Sequence, residues 1–169
     1  MNIFVLDRKV EKCARYHADQ HVIKMILESA QMLCTVVNQN GGEAPYRPTH
    51  QNHPCTIWAG HSLSNWQWLY RLALALNREY RYRFRTSSDH KSALVVLGLR
   101  QPKIDDVGLT EFAQTMPDPY RVPGDAVKAY RQFYLGEKAR FARWTRRKPP
   151  RWFSEAGNEK APGGDAKED

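Results

Sequence analysis

Five polar residues, His17, His21, Lys24, Glu28 and Gln31, follow one another at steps of four, three, four and three. That spacing puts all five on one face of a helix. A surface helix ordinarily carries interchangeable charges there. This face holds an acid, an amine, an amide and two imidazoles, the groups that move protons and hold a substrate. Lys24 and Glu28 are one turn apart, so ammonium and carboxylate can pair. Around them run Cys13, Ala14, Val22, Ile23, Ile26, Leu27, Ala30, Leu33, Val36 and Val37, which are expected to face a core. The pattern predicts Glu28 as a partly buried carboxylate in a basic pocket, acting as acid, base or cation stabiliser.

A second cluster runs from Tyr46 through His50, Asn52 and His53 to Trp58. A loop this dense in hydrogen-bonding and aromatic groups is expensive to order unless something uses it. Donors at Asn52 and His53, where a helix is approached, suit a phosphate or a base edge. His17 and His21 also have the spacing that lets two imidazoles share an ion, with His50 and His53 to complete a site. No local motif such as HExxH accompanies them, so no metal or other cofactor is expected.

Two basic stretches interleave with aromatics. Asn77 to Arg85 offers Arg81, Arg83 and Arg85 among Tyr80, Tyr82 and Phe84. Lys138 to Arg151 offers Arg146, Arg147, Lys148 and Arg151 near Phe141 and Trp144. Arginines of this kind take phosphates while aromatics stack on unpaired bases. The charge balance agrees. Five acids against two lysines in the last sixteen residues leave +11 on Met1 to Phe153, in a chain whose total is +8. Such an excess points to a polyanion, with nucleic acid the first candidate.

The elements that must position these groups are helical. With 169 residues the chain suits one domain with a real core. Asp7 is a suitable N-cap for a helix from about Arg8 to Asn38, interrupted near Tyr16 to Asp19. Asn38 to Pro54, with Asn-Gly-Gly and three prolines, reads as a loop. A second helix starts at Ser62 or Ser64 and runs to about Arg85. Ser87, Ser88 and Asp89 cap a third, through Leu99. Arg100 to Gly124 holds four prolines and is mostly loop, with a short turn at Thr110 to Thr115. Asp125 caps a fourth long helix to about Arg147, ended by Pro149-Pro150. Asn2 to Leu6 is a short strand or an extended lead-in. The expectation is a single compact domain over 1–153, all-α or nearly so, with about four main helices, and a disordered acidic tail over 154–169. Cys13, Cys34 and Cys55 are odd in number and far apart, which fits reduced thiols in a cytosol rather than a disulfide framework or a zinc ribbon. The start of the chain is too short and uncharged for a signal peptide, and no apolar run reaches spanning length. A cytoplasmic monomer follows as the expectation.

Ala18-Asp19-Gln20-His21 followed by Glu28, then Thr56-Ile-Trp58-Ala-Gly-His61 leading into an aromatic helix, resembles the phage pyrimidine-dimer DNA glycosylases of the endonuclease V type. The resemblance covers about Met1 to Phe84. It implies a small, basic, all-helical enzyme in which the chain's own α-amine attacks the sugar C1′, forms a Schiff base and cleaves the strand by elimination. It further implies Glu28 as the catalytic carboxylate and His21 near the scissile sugar; the stripe and the loop themselves suggest His17, Gln31, Tyr46, His50, Asn52, His53, Trp58 and His61 as the residues lining the site. The implied partner is DNA, with RNA left open. One departure matters: the family exposes a small residue as its amine, whereas here Met1 precedes the bulkier Asn2. The nucleophile is then the Met1 amine or Lys24, or else the lyase step is lost. Other classes stay open: a base-modifying enzyme on the same scaffold, a non-catalytic DNA- or RNA-binding protein, and a metal-dependent hydrolase using His17, His21, His50 and His53.

Overall fold

The computed structural model describes residues 1–159. Seven α-helices and no strand are found among them: α1 (Val10–Tyr16), α2 (Asp19–Gln39), α3 (Pro54–His61), α4 (Leu63–Phe84), α5 (Lys91–Leu97), α6 (Ala126–Phe133) and α7 (Arg151–Glu159). The domain is therefore all-α, with more and shorter helices than the four expected. None of them is long and apolar enough to cross a membrane.

Helix α2 is the spine. From Glu28 to Val37 every residue is buried except the half-buried Gln31, as befits a helix surrounded by others rather than laid on a surface. It packs chiefly on α4, with α3 and α5 alongside. Two indoles tie the layers: Trp66 Nε1 donates to the Leu33 carbonyl and Trp68 Nε1 to that of Arg8. The expected interruption near Tyr16 to Asp19 is present, because His17 and Ala18 adopt extended backbone between α1 and α2.

Three boundaries differ from the sequence reading. Residues 54–58, read as loop, begin α3. Pro54 takes the first turn, where its missing N–H is harmless, and His53 Nδ1 caps the Cys55 N–H. In the long connection 98–125 the expected turn at Thr110–Thr115 is absent, and a short 3₁₀ turn lies at Asp118–Tyr120 instead. Asp125 caps α6 as expected, its carboxylate accepting from the Lys128 N–H. However, α6 gives way at Tyr134–Lys138 to one wide turn with π-type hydrogen bonding and does not reach Arg147. Gly136 sits in that turn. A Cβ there would run into the Tyr120 ring and hydroxyl, so a side chain at this position requires that ring to move. The prolines Pro149-Pro150 precede α7 rather than ending a helix. Helix α7 enters the stretch expected to be a disordered tail, of which residues 160–169 lie outside the described residues.

Residues Ile3 to Leu6 form no strand. They are buried in the core, and the Leu6 N–H turns back onto the Phe4 carbonyl. Phe4 stacks on His21 with ring centres 4.3 Å apart and meets Tyr130 and Tyr134 edge-on. This threading carries the start of the chain to the side of α2.

A candidate active site at the chain start

The side chain of Asn2 is fixed by three separate segments. Its Oδ1 accepts from the Tyr130 hydroxyl of α6 at 2.8 Å and from the Thr115 hydroxyl of the long connection, with the Cys55 thiol of α3 at 3.8 Å. Its Nδ2 donates to the Thr115 carbonyl. With Asn2 fixed and Ile3 to Leu6 buried, the α-amine has little freedom. It lies 3.7 Å from Glu28 Oε2, and the Asn2 backbone N–H donates to the same oxygen at 2.9 Å. The other carboxylate oxygen, Oε1, faces Lys24 Nζ at 3.4 Å. Glu28 is only 8% exposed. A carboxylate, a terminal amine and a lysine amine thus meet at one place.

His53 belongs to the same neighbourhood. Burial lowers its pKa, the positive α-amine and His50 add to this, and Glu28 opposes it. A neutral imidazole results near pH 7. Because Nδ1 accepts from the Cys55 N–H, the neutral ring carries its proton on Nε2 and presents it as a donor.

The remaining expected site residues divide. Gln31 lies half-buried on α2, three residues beyond Glu28. His50 is exposed, in left-handed backbone conformation, with Nδ1 bonded to Thr49, and Asn52 is exposed beside it. Tyr46 anchors the loop through its hydroxyl to Ser92. Trp58 is buried in the core against Phe112 and Trp68, which corrects its placement in the site. His61 ends α3, about 12 Å of helix from His53 at 1.5 Å per residue.

His17 and His21 are corrected too. Neither faces solvent or Glu28. His17 is fully buried with Nδ1 on the Cys13 carbonyl, and His21 bonds the Tyr134 hydroxyl beneath Phe4. The outward face of α2 instead carries Ile23 and Leu27, 41% and 40% exposed, the residues expected in the core. Among the described residues no three His, Cys, Asp or Glu side chains gather as metal ligands, so the four histidines do not form the site of the metal-hydrolase alternative.

Burial, the dominant cause, lowers His17 to about 4 and His21 to about 3. Both are neutral when folded and ionise near 6.5 when unfolded, so the unfolded chain binds more protons over that interval. Their stabilisation is complete above pH 6.5 and is lost as the pH falls towards 4. Denaturant unfolding at pH 5 should show about 4 kcal/mol less stability than at pH 7.5, roughly 2 per histidine. Proton uptake on unfolding should approach two over the same range.

The basic stretches also divide. Arg83 is fully buried and structural, against expectation: it binds Glu79 and Asp19 and the carbonyls of Arg15 and His17. Arg147 closes on Glu79 through two nitrogens, at 2.7 and 3.1 Å. Arg146 and Arg147 both stand over the Tyr82 ring. Neither Arg83 nor Arg147 is therefore available for a phosphate. Arg85, Lys148 and Arg151 are exposed, and Arg81 is exposed beside Asp89. Sequence reasoning missed Asn2, Thr115, Tyr130 and Asp19, whose roles depend on contacts between distant segments, and Glu79, whose spacing of four from Arg83 was a signal for an ion pair on one helix. Asn2 also left a signal: a polar residue ahead of a buried apolar run must find partners.

The three cysteines are free and buried. No family model matches the chain, and no curated protein or solved structure matches it either.

Proposed function

We propose that the chain is a DNA glycosylase with lyase activity that uses its own α-amine as nucleophile and Glu28 as acid and base. One observation carries the reading: an amine and a buried carboxylate 3.7 Å apart, held there by Asn2 and its three partner segments. Stabilisation of a developing sugar cation needs a carboxylate that water does not screen. Lys24 is the weaker nucleophile, because its side chain is 66% exposed and lacks the burial that activates lysines.

In this reading Glu28 takes a proton from the α-amine. The freed lone pair forms the N–C1′ bond as the C1′–N bond to the base breaks. The leaving base keeps that electron pair and picks up a proton. The C1′–O4′ bond then opens, O4′ is protonated and a C1′=N iminium remains. Loss of a C2′ proton expels the 3′ phosphate and cleaves the strand. In the same reading His53 donates Nε2–H to a sugar or phosphate oxygen. Reaching C1′ requires an extruded nucleotide, at a cost of a few kcal/mol that damage reduces.

Borohydride trapping on duplexes carrying an abasic site or a pyrimidine dimer tests the proposal. The expected result is a covalent adduct that mass spectrometry maps to the Met1 nitrogen. Base release without an adduct would leave a glycosylase that activates water. Neither adduct nor release would remove the enzymatic reading.

A further inference from the structure

We propose that Leu27 and Ile23 form a wedge that enters the base stack of duplex DNA, while Lys24, Lys138, Arg140 and Arg143 hold the flanking phosphates. This rests on the function proposed above and adds how the substrate is gripped and opened.

The geometry starts with an exposed apolar pair. Ile23 and Leu27 are one turn apart on α2, with Lys24 between them in sequence and Glu28 next to Leu27. Isolated apolar residues on a surface need no explanation. These two sit on the outward face of the helix that carries the candidate carboxylate, and both have inward-facing neighbours that already fill the core.

The surroundings fit a polyanion. At the N-terminal end of α2 a cleft of about 380 Å³ is lined by Asp19, Gln20, Arg140, Phe141 and Arg143. Its acid is spoken for: Asp19 binds Arg83 through Oδ1 and the Thr145 hydroxyl through Oδ2. The cleft is therefore positive. Lys138 shares its turn with Tyr134, whose hydroxyl bonds His21 one turn before Lys24 on α2, which brings these cations to the same stretch of the helix. None of Lys138, Arg140 and Arg143 pairs with a carboxylate among the described residues.

The spacing suits a duplex. From Gln20 to Glu28 is about 12 Å of helix, or about three to four base steps at 3.4 Å. Cations at one end, the apolar pair in the middle and the carboxylate with its amine at the other form one track. Apolar side chains inserted at a base step unstack it and kink the duplex, which is what extruding a nucleotide towards Glu28 requires.

The test uses the full chain and duplexes carrying 2-aminopurine beside an abasic site. Binding should raise the 2-aminopurine fluorescence, and the double variant Ile23→Ala/Leu27→Ala should reduce that rise by about tenfold. Four phosphate contacts give a slope of about −3.6 for log affinity against log salt. Arg140→Gln and Arg143→Gln should each lower its magnitude by about 1, whereas the apolar variant should leave it in place. Duplex binding with fluorescence indifferent to Ile23 and Leu27 would overturn the wedge and spare the function proposed above. Absence of duplex binding by the native chain would overturn both. A dimer in sedimentation that Leu27→Ala dissolves would assign the apolar pair to a second copy of the chain and overturn the wedge.

Discussion

Glu28→Gln is expected to lower base release by about 10²–10⁴-fold, the range typical of a lost general acid–base group, and to abolish the borohydride adduct. The substitution keeps the shape of the side chain and one oxygen, so the bond from the Asn2 N–H can persist. It removes the negative charge that faces the α-amine at 3.7 Å and Lys24 at 3.4 Å. Without it nothing at hand takes the proton from the amine, and a sugar cation has no counter-charge. Duplex affinity should fall little, because three of the four cations proposed to hold phosphates, Lys138, Arg140 and Arg143, form no ion pair with Glu28. A single-turnover assay with a parallel binding titration separates the two effects. Full activity in a folded Glu28→Gln protein would end the catalytic assignment.

The second large effect concerns folding. Glu79→Ala should destabilise the domain by about 3–5 kcal/mol, the usual result of leaving a buried charge unpaired. Arg83 is completely enclosed and keeps its charge. It would lose the carboxylate at 3.0 Å and retain only Asp19 and two carbonyls. Arg147 would lose its two-point contact and, with it, the anchor of the segment that reaches Thr145 and Asp19. For a chain of this size the melting temperature should drop by roughly 6–20 °C. Burial on its own raises the Glu79 carboxyl, but hydrogen bonds from Arg147 and Arg83 outweigh it and hold the pKa below the ordinary 4.5. A lowered carboxylate stabilises fully above its unfolded pKa and loses that contribution as the pH falls through the folded value. Its acid sensitivity therefore begins below about pH 4.5, at the lower end of the window of the two histidines and continuing past it. Thermal melts at pH 7 and pH 4 on the native chain and Glu79→Ala check both statements.

Much of the scaffold was legible because it is local. The cap at Asp125, the break at His17 and the run of α4 come from residues acting on their own turn. Glu28 was legible as a buried carboxylate beside Lys24 because it stands among apolar residues one turn from that amine. The face it shares was not. A five-residue stripe at helical spacing says which side chains are together, but not which way they point when the helix is buried on most sides. His17 and His21 each bond through Nδ1 inside the core, although His17 Nε2 is buried without a partner, and Ile23 and Leu27 went outward. The arginines failed for a related reason: Glu79 lies one turn before Arg83, but only the fold brings Asp19 and the carbonyls of Arg15 and His17 round that guanidinium and buries it. Closure of the site by Thr115 and Tyr130 joins residues more than a hundred positions apart, beyond the reach of any periodicity.

The enclosed first residues bear on how the protein is handled. The Met1 side chain is about as enclosed as the core, and Asn2 is bonded into three segments. A purification handle fused ahead of Met1 would convert the α-amine into an amide and force extra chain through the space beside Glu28. Under the function proposed above such a preparation should lose the borohydride adduct, and cleavage that leaves a free Met1 amine should restore it.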